Sequence, residues 1–139
     1  MTTDRARLRQ VVLDTTDTRR LAEFYRQLLD YVYRPGDDPS IDGPDTLDWL
    51  VLVDPATGSR VAFQQVDEVP AASWPTGPHP QQLHLDLTVR SVAALDSEHD
   101  RVLTLGGRLL SDRTDDPVEP LRVYADPAGH PFCVFVVAD

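Results

Sequence analysis

The chain is predicted to adopt an α+β fold, with two βαβββ modules whose curved mixed sheets surround a central cavity. Three observations predict it. A strand–helix–hairpin order occurs twice, and Gln10–Leu21 aligns with His84–Leu95 without a gap at a constant offset of 74 residues. A turn beginning Asp-Pro-Ala closes a hairpin in each half, at Asp54 and at Asp126. Between the halves lie Pro70, Pro75, Pro78 and Pro80, a spacing that neither a helix nor a strand tolerates.

Taken in order, Leu8–Thr15 reads as a strand. Asp17 then caps a helix whose buried stripe is Leu21, Phe24, Tyr25, Leu28 and Leu29, ending near Asp30. A short edge strand at Tyr31–Arg34 precedes a polar loop with Pro and Gly, read as a flexible rim. Thr46–Val53 and Arg60–Val66 form a hairpin around the Asp54 turn. This completes module one, residues 1–66, and the linker runs over 67–82. Module two, residues 83–139, restarts with a strand at Leu83–Val89. Ser91 caps a second helix with Val92, Leu95, His99, Val102 and Leu103 on one face, and Gly106-Gly107 stops it. Strands at Arg108–Ser111, Leu121–Ala125 and Pro131–Val137 finish the chain. Both modules belong to one domain, as 139 residues favour.

Composition narrows the function classes. Thirteen Lys+Arg against 23 Asp+Glu give a net charge of −10. That balance argues against nucleic acid and against an anionic membrane surface, since both need clustered cations. A single cysteine, Cys133, excludes an internal disulfide framework and a Cys-rich zinc site. The first residues carry no apolar signal-peptide core, so the cytoplasm is the expected location.

Alternation along the strands separates two faces. Leu83, Leu85, Leu87 and Val89 share one face, which packs on the helices; His84, Asp86 and Thr88 share the other, with Gln10 on the matching strand. The mixed faces are expected to line a concave surface suited to a small organic molecule. His84 and Asp86 lie two apart, with Cβ atoms roughly 6–7 Å apart. That is too far for a secure direct hydrogen bond, but it suits a base and an acceptor touching one ligand.

The segments VVLDTTDTRRLAEFYRQLLDY, LHLDLTVRSVAAL and YADPAGHPFCVF resemble the vicinal oxygen chelate superfamily, which includes glyoxalase I, bleomycin-resistance proteins, fosfomycin-resistance enzymes and extradiol dioxygenases. WPTGPHPQQLHLDL with DPAGHPFCVF is similar, more narrowly, to a bacterial glyoxalase-like subgroup. The resemblance implies the two-module fold and a homodimer. It also implies a four-strand metal site, whose positions here are Gln10, Gln64, His84 and Cys133. Two neutral amides, one imidazole and a thiol make a poor site for a divalent first-row ion. The expectation is therefore a glyoxalase-like protein that binds a small organic molecule without a tightly held metal, as in sequestration or resistance. The alternatives are a metal-dependent lyase or isomerase of glyoxalase type, a metal-free acid–base enzyme using His84 and Asp86, and a dimeric interaction module.

The remaining candidates are aromatic or sulfur-bearing. Either Trp49 or Leu50 faces the inner surface, and alternation alone does not choose. Trp74, inside the linker, needs a surface to cover; it closes the pocket or packs at a dimer interface. Tyr124 and Arg122 share a strand face and are placed to meet an anionic ligand. Cys133 reads first as a small buried hydrophobe. As a nucleophile it would need His84 or His130 as base.

Overall fold

The computed structural model describes residues 4–138. Its elements run β1 (Val11–Thr15), α1 (Thr18–Leu29), β2 (Val32–Tyr33), β3 (Trp49–Val53) and β4 (Arg60–Gln65), then β5 (Leu85–Val89), α2 (Val92–Leu105), β6 (Arg108–Arg113), β7 (Leu121–Ala125) and β8 (Pro131–Val136). Two four-stranded sheets result, ordered β1-β4-β3-β2 and β5-β8-β7-β6. In each, the first strand pairs in parallel with the last, and the other pairs are antiparallel. The two-module α+β fold is thus present, with two separate sheets that do not close into a barrel. No helix among the described residues is long and apolar enough to cross a membrane.

The repeat survives in three dimensions. β5 begins 74 residues after β1, and Ser91 caps α2 at the same offset from Asp17. Each cap side chain accepts from a backbone N–H three residues on, Arg20 in one helix and Ala94 in the other. α1 ends at Asp30, which takes a left-handed conformation at φ 57°; α2 ends at Gly106. The stripe on α2 is narrower than the sequence predicts. Leu95 and Val102 are fully buried, whereas Val92 and Leu103 are exposed.

One core serves both modules. Leu13, Leu50, Leu52 and Phe63 of the first sheet pack on α1, and Phe132, Tyr124 and Val134 of the second join the same cluster. Aromatic rings cross the boundary: Phe24 and Tyr25 of α1 meet Phe132 of β8 at 5.9 and 6.1 Å between centroids. The helices also touch, and Arg101 Nη2 donates to the Gln27 carbonyl at 2.7 Å.

The loop after β2 is less free than its composition suggests. Asp37 within it is buried, and its Oδ2 accepts the Val51 N–H at 2.8 Å. Its carbonyl accepts from Arg19, which also pairs with Asp45 further along the loop. A carboxylate accepting a backbone donor at a short edge strand completes a ladder that β2 is too short to finish.

Candidate functional site

Register assigns every strand residue to a face. On the first sheet Val12, Ala62 and Val51 lie side by side, as do Asp14, Gln64 and Trp49, all turned away from the helices. Trp49 therefore stands on the open face. Leu50, opposite Phe63, is in the core at 0% exposure. On the second sheet Asp86 sits directly opposite Cys133, and Cys133 opposite Val123, again away from α2.

A cavity of about 480 Å³ opens at the seam between the modules. Val12 and Asp14 of β1 form one wall, and Leu83, His84 and Leu85 at the start of β5 form the other. His130, Pro131 and the ring of Tyr25 close the end. The roof is the linker, through Val69, Pro70, Ala72 and Pro78 to Gln82. The linker is ordered by its own bonds: Ser73 N–H donates to the His79 carbonyl at 2.6 Å, and His79 N–H to Ser73 Oγ at 3.2 Å. His79, His84 and His130, three of the four histidines in the chain, line this one space. The volume falls within the usual range for small-molecule sites.

His130 has a structural task as well. Its Nε2 lies 2.7 Å from the Asp14 carbonyl, which can only accept, so this nitrogen carries the proton. The turn behind it is organised by Asp126, whose Oδ1 accepts from Ala128 and His130 N–H and whose Oδ2 accepts from the Tyr25 hydroxyl. Burial pushes the Asp126 carboxyl up and the Tyr25 hydroxyl well up.

A second feature borders the cavity. The side-chain donors of His84, Asp86 and Cys133 all lie within 4.8 Å of one another. His84 Nε2 is 3.1 Å from Asp86 Oδ1, so the direct contact judged too long from Cβ spacing does form. The far ring nitrogen and the carboxylate lean along the strand toward each other and bridge a gap that the Cβ atoms do not. Cys133 is half-buried, and burial pushes its thiol up, with the charges of Asp86 and Glu119 adding to the shift.

The other candidates fall elsewhere. Tyr124 is fully buried on the helix side, and its hydroxyl meets His99 Nδ1 at 2.8 Å; burial pushes it to about 12. It lies in the core and not on the open face or in the cavity lining, which corrects the expectation, because the register places it on the same side as Leu85 and Phe132. Arg122 is likewise buried, bonded to Asp96, Asp112 and the Leu95 carbonyl. Trp74 is half-buried in the linker but does not line the cavity. Gln10, just before β1, and Gln64 on β4 do not line it either. Gln64 is exposed, and the Gln10 Oε1 atom is buried without a hydrogen-bond partner. Gln65, which the sequence reading passed over, carries the structural role on β4. Its Oε1 accepts from Thr18 N–H and Oγ1, and its Nε2 donates to the Thr16 carbonyl. The missed residues Tyr25 and Asp126 had one signal each: a hydroxyl on a buried helix stripe, and an Asp repeated at both hairpin turns.

Two mixed sheets related by an internal repeat, with a cavity at their seam, give this chain the fold of solved structures from the glyoxalase/bleomycin resistance/dioxygenase group. The glyoxalase-like domain family matches residues 10–135, and the chain belongs to that family. Among curated proteins none matches. A glyoxalase/bleomycin resistance protein/dioxygenase family enzyme from Burkholderia phytofirmans PsJN is similar at 19% identity and TM-score 0.68, with 95% of this chain and 99% of that one covered. The fosfomycin resistance protein FosX from Mesorhizobium loti is similar at 14% identity and TM-score 0.64, covering 99% and 94%. A mutant FosX from Listeria monocytogenes, complexed with manganese(II) and 1S,2S-dihydroxypropylphosphonic acid, is similar at 14% identity and TM-score 0.65, covering 98% and 93%. At these identities the likeness is one of fold.

A manganese ion of the kind seen in that FosX complex is a poor fit to this chain. Manganese favours oxygen donors, anionic carboxylates among them. The four positions that the resemblance implies hold no carboxylate: they offer two neutral amides, an imidazole and a thiol whose pKa burial raises.

Proposed function

We propose that this protein binds a small organic molecule in the seam cavity without a tightly held metal, in the manner of sequestration or resistance proteins. The observation that supports this most is the cavity itself. Its walls combine apolar surface from Val12, Val69, Pro70 and Pro78 with His79, His84, His130 and Asp14. Apolar contact supplies affinity there, and a few convergent polar groups fix orientation. We further propose a homodimer, because β1 and β5 are each hydrogen-bonded on one side only.

A second reading, acid–base catalysis, is supported by the 3.1 Å His84–Asp86 contact at the cavity wall. A carboxylate beside an imidazole orients the ring toward a bound ligand.

One experiment tests both. A library of small organic acids, amines and carbonyl compounds is screened by thermal shift, and each hit is incubated with protein and examined by mass spectrometry. Stabilisation that disappears when Val12→Phe fills the cavity, with the compound recovered unchanged, supports sequestration. A mass change that disappears in His84→Ala supports catalysis. Hits unaffected by Val12→Phe would move binding away from the seam.

A further inference from the structure

We propose that the seam cavity selects a cationic, donor-bearing ligand, an organic ammonium on an apolar body, and turns organic anions away. This rests on the reading of the seam as a binding site and adds the charge and polarity of what enters it. The state of the polar groups around the cavity carries the inference. Their strongest donors are spent inside the protein, and their acceptors are not.

The Tyr25 hydroxyl gives its proton to Asp126 Oδ2 at 2.7 Å. His130 Nε2 gives its proton to the Asp14 carbonyl at 2.7 Å, so the neutral ring has only the Nδ1 lone pair left to offer. His84 Nε2 is held in the same way, 3.1 Å from Asp86 Oδ1, a carboxylate oxygen that only accepts. The acceptors contrast with these. Asp14 lines the cavity, and its carboxylate has no donor among the described residues. Gln81 lines it too, and its Oε1 atom is buried without a hydrogen-bond partner. A buried acceptor left unpaired is costly, and a ligand N–H removes that cost.

Fixed charge points the same way. Asp14 is acidic, and no arginine or lysine among the described residues lines the cavity. The whole chain carries −10, so its field draws cations toward the surface and repels anions. The N–H groups still unspent belong to His79 and to the Gln81 and Gln82 amides, none of which carries a fixed charge. An ammonium has three donors and no acceptor, the complement of a free carboxylate, an orphaned amide oxygen and imidazole lone pairs. A carboxylate or phosphate has acceptors only and would meet Asp14 with no fixed positive charge to offset it. The apolar walls cover the rest of the ligand.

The test compares three probes that share a phenyl ring on a two-carbon chain: 2-phenylethylammonium, 2-phenylethanol and phenylacetate. Each is titrated against the full-length protein by ligand-observed NMR at pH 8, above the ordinary titration range of imidazole. Expected is the tightest binding for the amine, weakened by salt, with phenylacetate about tenfold weaker or more. Asp14→Asn keeps the backbone carbonyl that His130 bonds, and thermal unfolding checks that its fold is retained. It should weaken the amine about tenfold, the worth of a hydrogen bond to a charged group, and leave the alcohol unchanged. Gln81→Leu should weaken amine and alcohol alike, since both bring a donor. Phenylacetate bound as tightly as the amine, with binding lost in Val12→Phe, would overturn the proposal and leave the cavity reading standing. So would an amine affinity that neither Asp14→Asn nor Gln81→Leu changes. Amine binding that persists in Val12→Phe, or no binding by any probe at millimolar concentration, would overturn both.

Discussion

The Tyr25 hydroxyl donates to Asp126 Oδ2 at 2.7 Å, a fully buried bond between residues 101 apart in the chain. It ties the helix of module one to the hairpin turn of module two. The same turn carries His130, which reaches back to the Asp14 carbonyl on β1. The cavity is thus framed by a closed circuit: β1 to α1, α1 to the turn, and the turn back to β1.

Tyr25→Phe keeps the ring contacts with Phe63 and Phe132 but leaves a buried carboxylate short of one donor. The expected cost is about 1–3 kcal/mol, read from urea unfolding. Burial is the main cause holding the Asp126 carboxyl above its ordinary range, while the Tyr25 bond pulls the other way. Removing the hydroxyl should raise Asp126 further, visible in a carboxyl carbon NMR titration. For a raised carboxyl the stabilising contribution is complete below the ordinary aspartate value of about 3.9 and fades as pH rises through the folded value. The variant should therefore lose more stability at neutral pH than at pH 4.

Glu23 has the opposite sign. Its carboxylate accepts from Arg26 Nε at 2.6 Å and from the Tyr33 hydroxyl at 2.6 Å, and Arg26 is the main cause holding it below the ordinary range. Its contribution is present above the ordinary glutamate value of about 4.3 and is lost as pH falls through the lower folded value. Glu23→Gln should flatten the acid limb of the stability–pH curve. Solvent reaches this pair, so the difference at pH 7 should stay under about 1 kcal/mol and vanish near pH 2.

Much of the fold was legible because it repeats. The offset of 74 residues, the two caps and the Asp-Pro-Ala turns located β1, α1, β5 and α2 within a few residues. The site was less legible, for a physical reason. Alternation divides a strand into two faces but does not say which face a helix covers. Tyr124 was therefore assigned to ligand contact when it is core, and Trp49 and Leu50 stayed undivided. Spacing along β5 gave the Cβ separation of His84 and Asp86, but the reach of the side chains closed it to 3.1 Å. The Tyr25–Asp126 bond depends on how the modules pack, which no local pattern encodes.

Gln64 and Gln65 offer a paired contrast between neighbours on one strand. Gln65 bonds Thr18 and the Thr16 carbonyl at the start of α1, while Gln64 is exposed on the open face. Gln65→Ala should destabilise by about 1 kcal/mol or somewhat more, since Thr18 N–H and the Thr16 carbonyl lose their partner. Gln64→Ala should stay within about 0.5 kcal/mol. Thermal unfolding of the two variants checks the order. A larger loss for Gln64 would mean that the first-sheet face is covered in solution.

The roof of the cavity rests on a glycine. A Cβ placed at Gly129 would lie 2.7 Å from the Ala71 Cβ and 3.0 Å from its Cα, so linker and turn are in close contact there. The sister turn has Gly58, whose added Cβ would meet nothing within 4 Å. Both glycines have positive φ, +93° and +80°, so Gly→Ala at either site carries the same kind of backbone strain, about 1–3 kcal/mol. The difference between the two variants isolates the packing of the linker. Gly129→Ala should push the segment around Ala71 off the turn and open the cavity roof, whereas Gly58→Ala should leave it shut. Limited proteolysis reads this directly: cleavage within residues 67–82 should quicken several-fold in Gly129→Ala and stay at the wild-type rate in Gly58→Ala. Equal cleavage in both would mean the linker is held by its Ser73–His79 bonds alone and does not depend on the turn beneath it.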